Sequence, residues 1–184
     1  YGHVGPPVHP QHKAALAFAK YVNDKTKGEI EIQVFPLGQL GAERSMTEQV
    51  QTGTLHMTAV TSGVLSNFVP EMGIIELPFI YPDRETAYKV LDDKEILERF
   101  TKFCDAKGFV FIGYTENEFR DISNSKRPIH KPEDLKGLKI RVIESPVFID
   151  TFKALGANPT PLPFPEIYNA LQQKVIDGQD NPIY

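Results

Sequence analysis

Leu138-Lys139-Ile140-Arg141-Val142, followed at Ser145-Pro146 by a helix-start signal, is the stretch that decides the fold. Its apolar and charged residues alternate with the two-residue period of a β-strand. Ser145 stands where an N-cap is wanted and Pro146 where a first-turn proline costs nothing. Phe148, Phe152 and Leu155 then recur on one helical face, and Gly156 stops the helix. A proline-rich connector (Pro159, Pro161, Pro163, Pro165) leads to a last helix. Its inward face is read as Tyr168, Leu171 and Val175, with Gly178 as its end.

Upstream, the same grammar repeats. The opening Tyr1–Pro7 reads as a short strand, and Ala15, Phe18, Ala19 and Val22 as the buried stripe of a helix that Gly28 stops. Glu29-Ile30-Glu31-Ile32-Gln33-Val34 alternates strictly and predicts a strand with one buried face. Residues 42–52 predict a helix with Met46 and Val50 inward and Gly53 at its end, and Leu55–Val60 a further strand. Two helices are expected at 83–91 and 93–106. The run Phe109-Val110-Phe111-Ile112-Gly113-Tyr114 is apolar on both faces, as in a central strand. A βαβαβ order implies an α/β architecture with a mainly parallel sheet.

The chain has 184 residues, 41% apolar and 24% charged, which is ordinary globular usage. A chain this long buries roughly 70% of its unfolded surface without staples. Its 20 Lys and Arg stand against 24 Asp and Glu, a net charge of −4. A general nucleic-acid binder carries a basic surplus, so that class is disfavoured. No run of about 18 apolar residues is present to span a bilayer. The single cysteine, Cys104, shares a helical face with Leu97 and Phe100 and reads as a small buried thiol. No signal-peptide pattern is visible, and the abrupt start in a strand suggests a trimmed mature form.

From Phe119 to Val142 the charge balance reverses, with seven Lys/Arg and three Asp/Glu. A second α/β unit starts there. The expected division is therefore one lobe over residues 1–118 and the opening of another over 119–184. No Walker loop, His-Glu-x-x-His or GxSxG elbow occurs, so no catalytic set emerges. His3, His9 and His12 lie close in sequence but have no carboxylate or thiol among them to complete a metal site. Within the basic stretch Arg120 follows the long apolar run, and Arg141 lies inside an apolar strand. A charge buried there needs an anion. Glu144 is one internal candidate, and an external carboxylate, met bidentately by the guanidinium fork, is another.

The chain resembles the extracytoplasmic solute-binding subunits of TRAP transporters, the DctP-like family. The likeness rests on Tyr1-Gly2-His3, Phe35-Pro36-Leu37-Gly38-Gln39-Leu40-Gly41 and Leu77-Pro78-Phe79. Its most specific parts are Leu135-Lys136-Gly137-Leu138-Lys139-Ile140-Arg141-Val142, Ala154-Leu155-Gly156-Ala157 and Asp177-Gly178-Gln179-Asp180-Asn181-Pro182, in this order. The resemblance implies a two-lobed, periplasmic-binding-protein-like α/β fold with a hinge and a ligand cleft. Family members are longer, so the segments completing both lobes are expected beyond Tyr184.

By the same resemblance, Arg141 matches the arginine that pairs with a ligand carboxylate, and Arg120 a second that helps neutralise it. Asn181 matches a hydrogen-bonding asparagine, Phe164 an aromatic that packs on the ligand, and Glu144 a polar contact. Thr61, Ser62 and His9 fall in regions that face the cleft. Apolar Val4 and Val64 turn the expectation away from sialic acid and would suit an aromatic or branched acid. Glu144 near Arg141 could accept from ligand hydroxyls or pair with an amino acid's ammonium, and the expectation leans to a sugar acid or related hydroxy-acid. The implied role is capture of a small organic acid in the periplasm and delivery to a membrane permease, with no cofactor and no enzymatic turnover. A ligand-sensing input domain of the same fold, or an enzyme on that scaffold, are the alternatives.

Overall fold

A computed structural model of the chain describes residues 1–183, which divide into two compact units. The first, Tyr1–Thr61, is built on two helices. Helix α1 spans Pro10–Lys25 and α2 spans Glu43–Gln51, close to the boundaries expected. His9 caps α1 through Nδ1, which accepts from the Gln11 amide at 3.1 Å. Met46 is fully buried beneath α2, and Val50 is half-buried.

The three strands expected in this unit shrink to isolated parallel bridges. Gly2 pairs with Phe35 on one side and Thr58 on the other. The Glu29–Val34 alternation holds in burial only over its second half: Ile32 and Val34 are half-buried while Glu31 and Gln33 are exposed, but Ile30 is exposed.

The second unit begins at Ser62 and contains the sheet. A short helix α3, Ser62–Leu65, and a 3₁₀ segment, Pro70–Glu76, precede α4, Arg84–Leu91, and α5, Lys94–Asp105. Asp83 and Asp93 cap the last two through their carboxylates. Cys104 is buried on α5 beside Phe100, and burial pushes its thiol pKa up, as suits an inert core residue.

Residues 109–114 differ from the expected central strand. Phe109 is buried, but Val110 and Ile112 are 83% and 67% exposed. Covering both faces needs paired neighbours, and among the described residues this run pairs with no strand.

Four strands follow: β1 Asp121–Asn124, β2 Lys139–Val142, β3 Asn158–Pro161 and β4 Gly178–Asn181. Their order is β1-β4-β2-β3, with β2 parallel to both neighbours and β1 antiparallel to β4. Helix α6, Pro146–Ala154, follows β2 and packs on β2 and β3, burying Phe148 and Phe152 as its periodicity predicted.

The last helix, α7, covers only Ile167–Gln172. Its core is Ile167, Ala170 and Ile176, with Leu162 and Leu171 packed against them. Tyr168, inside α7, and Val175 are both exposed, against expectation; Val175 falls outside because the helix ends before it and Lys174 turns at φ 58°. Gly178 opens β4 instead of ending the helix.

Candidate functional site

The sheet's side chains sort by register into two unlike faces. Residues opposite one another in a ladder share a face, and alternate residues along a strand do not. One face carries Ile122, Asn124, Ile140, Val142, Pro159, Pro161, Gly178 and Asp180, with Ile140 and Val142 fully buried and Asp180 its one charged residue. The other carries Asp121, Ser123, Lys139, Arg141, Asn158, Thr160, Gln179 and Asn181, polar at every position. Two of the candidate residues, Arg141 and Asn181, stand on this polar face.

Arg141 is 4% exposed, and its register partners are Thr160 on β3 and Gln179 on β4. Its Nε donates to the Leu162 carbonyl at 2.8 Å. That bond orients the guanidinium and corrects the expectation that Arg141 needs an outside anion to be partnered at all. A backbone carbonyl supplies a dipole but no countercharge.

The buried carboxylate of this region is Asp180, quoted above only as part of the Asp177–Pro182 motif, and its direct partner is Arg120. Asp180 is 3% exposed, and Arg120 Nε lies 2.5 Å from its Oδ1. The Arg120 Nη2 also donates to the Asp180 carbonyl at 2.5 Å and to Asn181 Oδ1 at 3.4 Å. The guanidinium carbon sits 5.3 Å from the centre of the Phe148 ring, a cation–π geometry. Burial pushes the Asp180 carboxyl above the usual range, while the charges of Arg120 and Arg141 pull the other way. By register Asp180 stands on the Ile122 face, opposite Arg141 and Asn181, so Arg120 pairs with its carboxylate directly while Arg141 acts on it only through its field. A buried carboxylate two residues after the strand-opening glycine, in a chain with two arginines to place, was the signal available.

The remaining candidates are engaged more locally. Glu144 is half-buried, and its carbonyl accepts from Asn67 Nδ2 at 2.6 Å. Phe164 opens a 3₁₀ turn and is 36% exposed. Ser62 Oγ donates to Glu76 Oε1 in a short contact. In the first unit, Thr61 gives both its amide and its hydroxyl to Glu43, at 2.9 and 3.3 Å. His9 is spent on capping α1. His3 is fully buried, with Nε2 3.0 Å from Nδ1 of His12. Among the described residues no group of three or more His, Cys, Asp or Glu is arranged to hold a metal ion.

Two surface clefts of the second unit, of about 570 and 400 Å³, are lined by Ile122–Ile129 and by residues that include Pro70, Ile74, Phe100 and Phe103. Neither includes Arg141. No helix among the described residues is long and apolar enough to cross a membrane.

The chain is 46% identical over 173 residues to a solute-binding protein of Verminephrobacter eiseniae, covering 94% of this chain and 51% of that protein. It is 39% identical over 173 residues to the 2,3-diketo-L-gulonate-binding periplasmic protein YiaO of Escherichia coli, covering 94% and 52%. Among solved structures, a TRAP periplasmic solute-binding protein from Polaromonas sp. JS666, bound to D-erythronate, superposes with a TM-score of 0.95. That protein is 42% identical, and the match covers 98% of this chain and 59% of it. The chain thus spans about half the length of the curated relatives it matches. The model of the bacterial extracellular solute-binding proteins of family 7, DctP, matches residues 1–184, and the chain belongs to that family.

Proposed function

We propose that this chain is part of the extracytoplasmic solute-binding subunit of a TRAP transporter, working in the periplasm. It captures a small organic acid, of the sugar-acid or hydroxy-acid class, and hands it to membrane permease subunits. The observation that carries this reading is the guanidinium of Arg141, set on a sheet face whose eight side chains are all polar. The relatives that bind 2,3-diketo-L-gulonate and D-erythronate support the ligand class.

The chemistry is binding without bond making. Arg141 pairs with the ligand carboxylate, and the Leu162 carbonyl holds the guanidinium in plane for it. Asn181 offers an amide beside it, and Phe164 a ring for the ligand's body. Arg120, tied to Asp180, contributes field more than contact. A charge-assisted hydrogen bond gives about 1.5–3 kcal/mol net, whereas micromolar binding needs about 8 kcal/mol. Several groups must therefore act together, which is why closure of two lobes matters. Residues 1–118 form one lobe in this proposal and 119–184 begin the other. Closing expels water and strengthens the ion pair in a lower dielectric.

The test is a thermal-shift screen of organic acids on the full-length protein. A ligand at 100 times its dissociation constant adds about 2.7 kcal/mol of stability. A shift with hydroxy-acids is expected. A flat response to every carboxylate overturns the reading.

A further inference from the structure

The cross-strand row that contains Arg141 runs Ser123, Gln179, Arg141, Thr160, one residue from each strand and all on the polar face. Ser123, at the sheet edge, is exposed, so the row opens to solvent on the Gln179 side. Gln179 Oε1 is buried and has no hydrogen-bond partner among the described residues. A buried acceptor without a donor is costly, and such groups in native proteins call for an explanation. Adjacent parallel strands lie about 4.8 Å apart, so the Gln179 and Arg141 backbones are one strand spacing apart and both side chains leave the sheet on the same face.

We propose that Gln179 determines specificity in the acid-binding site, its Oε1 accepting a hydroxyl from the carbon next to the carboxylate that Arg141 holds. The inference rests on the acid-binding reading above and deepens it. An acid with a hydroxyl on that carbon presents an anion and a donor about one carbon–carbon bond apart. It can therefore satisfy the guanidinium and the orphaned oxygen together. An acid lacking that hydroxyl pairs with Arg141 and leaves Oε1 stranded. Discrimination by a site built to hydrogen-bond a hydroxyl is stronger than discrimination by apolar fit, because the penalty falls on the site's own buried group.

The experiment is calorimetry on the full-length protein with two probes: D-erythronate and 3,4-dihydroxybutanoate, the same acid without the 2-hydroxyl. The wild type is expected to bind D-erythronate at least about tenfold more tightly. Gln179→Met keeps the side chain's length and removes the acceptor. It should bring the two affinities within about twofold, mainly by weakening D-erythronate. Gln179→Glu keeps an acceptor and should retain the preference while weakening both acids, since its carboxylate competes for Arg141. Melting curves of the unliganded variants control for folding. Equal affinities in the wild type, or an undiminished ratio in Gln179→Met, overturn the role of Gln179 and leave acid binding standing. Absence of binding by both probes, and by every other carboxylate screened, overturns both.

Discussion

Arg120 and Asp180 form an ion pair at 2.5 Å, with the two side chains 18% and 4% exposed, between the residue before β1 and the body of β4. The pair ties the antiparallel edge strand to the strand beside Arg141. Most of the chain's ion pairs lie on exposed helix faces and contribute little. This one is different, because removing one partner leaves a buried charge. Asp180→Ala is expected to lower unfolding free energy by about 3 kcal/mol. Asp180→Asn should cost less, since burial already penalises the ionised carboxyl and an amide still accepts from Arg120. Urea denaturation of the two variants checks the order. Equal losses would mean that the charge, which both variants remove, carries the whole effect and the retained acceptor contributes nothing.

Arg141→Lys keeps the charge but loses the fork and the Nε bond to Leu162. The expected loss of affinity for the bound acid is about 2–3 kcal/mol, roughly 30- to 150-fold. Calorimetry with an unchanged dissociation constant would remove Arg141 from the site.

Gly178 opens β4 where no side chain fits. A Cβ there would lie 2.1 Å from the Ser123 carbonyl oxygen and 2.7 Å from the Asn124 Cβ. Those atoms belong to the paired strand β1, so the clash cannot be relieved by a rotamer change. Gly178→Ala is expected to destabilise by about 3 kcal/mol or to part β1 from β4. Hydrogen exchange at Ser123 and Asn124 distinguishes the second outcome, and wild-type exchange and stability would refute both.

The His3–His12 contact makes the first unit acid-sensitive. Burial, then the neighbouring His12 and His9 charges, hold the His3 imidazole pKa below its ordinary value of 6.5, with Gln11 opposing. Burial lowers that of His9 as well. The unfolded chain takes up these protons near pH 6.5 and the folded chain resists until lower pH. Stability is therefore full above pH 6.5 and falls as the pH drops below it, levelling once the folded imidazoles protonate. Denaturant midpoints from pH 7.5 to 5 should show the decline, and His3→Gln should flatten it. An identical slope in the variant would place the acid sensitivity elsewhere.

Much of this was legible in local patterns. The stripe on α1, the helices α4 and α5, the strand at Lys139–Val142 and the Ser145-Pro146 helix start all depend on residues within a turn or two of each other. The errors fell where a partner had to be known. Phe109–Tyr114 has the composition of a two-sided strand but no pairing. Tyr168 and Val175 fit a helical stripe on a helix that ends early. Asp180 looked like one letter of a motif until Arg120, sixty residues earlier, was placed against it.

The sequence alone determined the α/β class and the family, and it marked Arg141 as an arginine inside an apolar strand. Periodicity, caps and motif spacing are local properties, and they survive whatever the rest of the chain does. Only the tertiary structure decided that Asp180 neutralises Arg120, that Leu162 orients Arg141, and that Gln179 stands beside it with an unused oxygen. Strand order and register place residues side by side that are separated by tens of positions, and no local signal encodes which strands will pair.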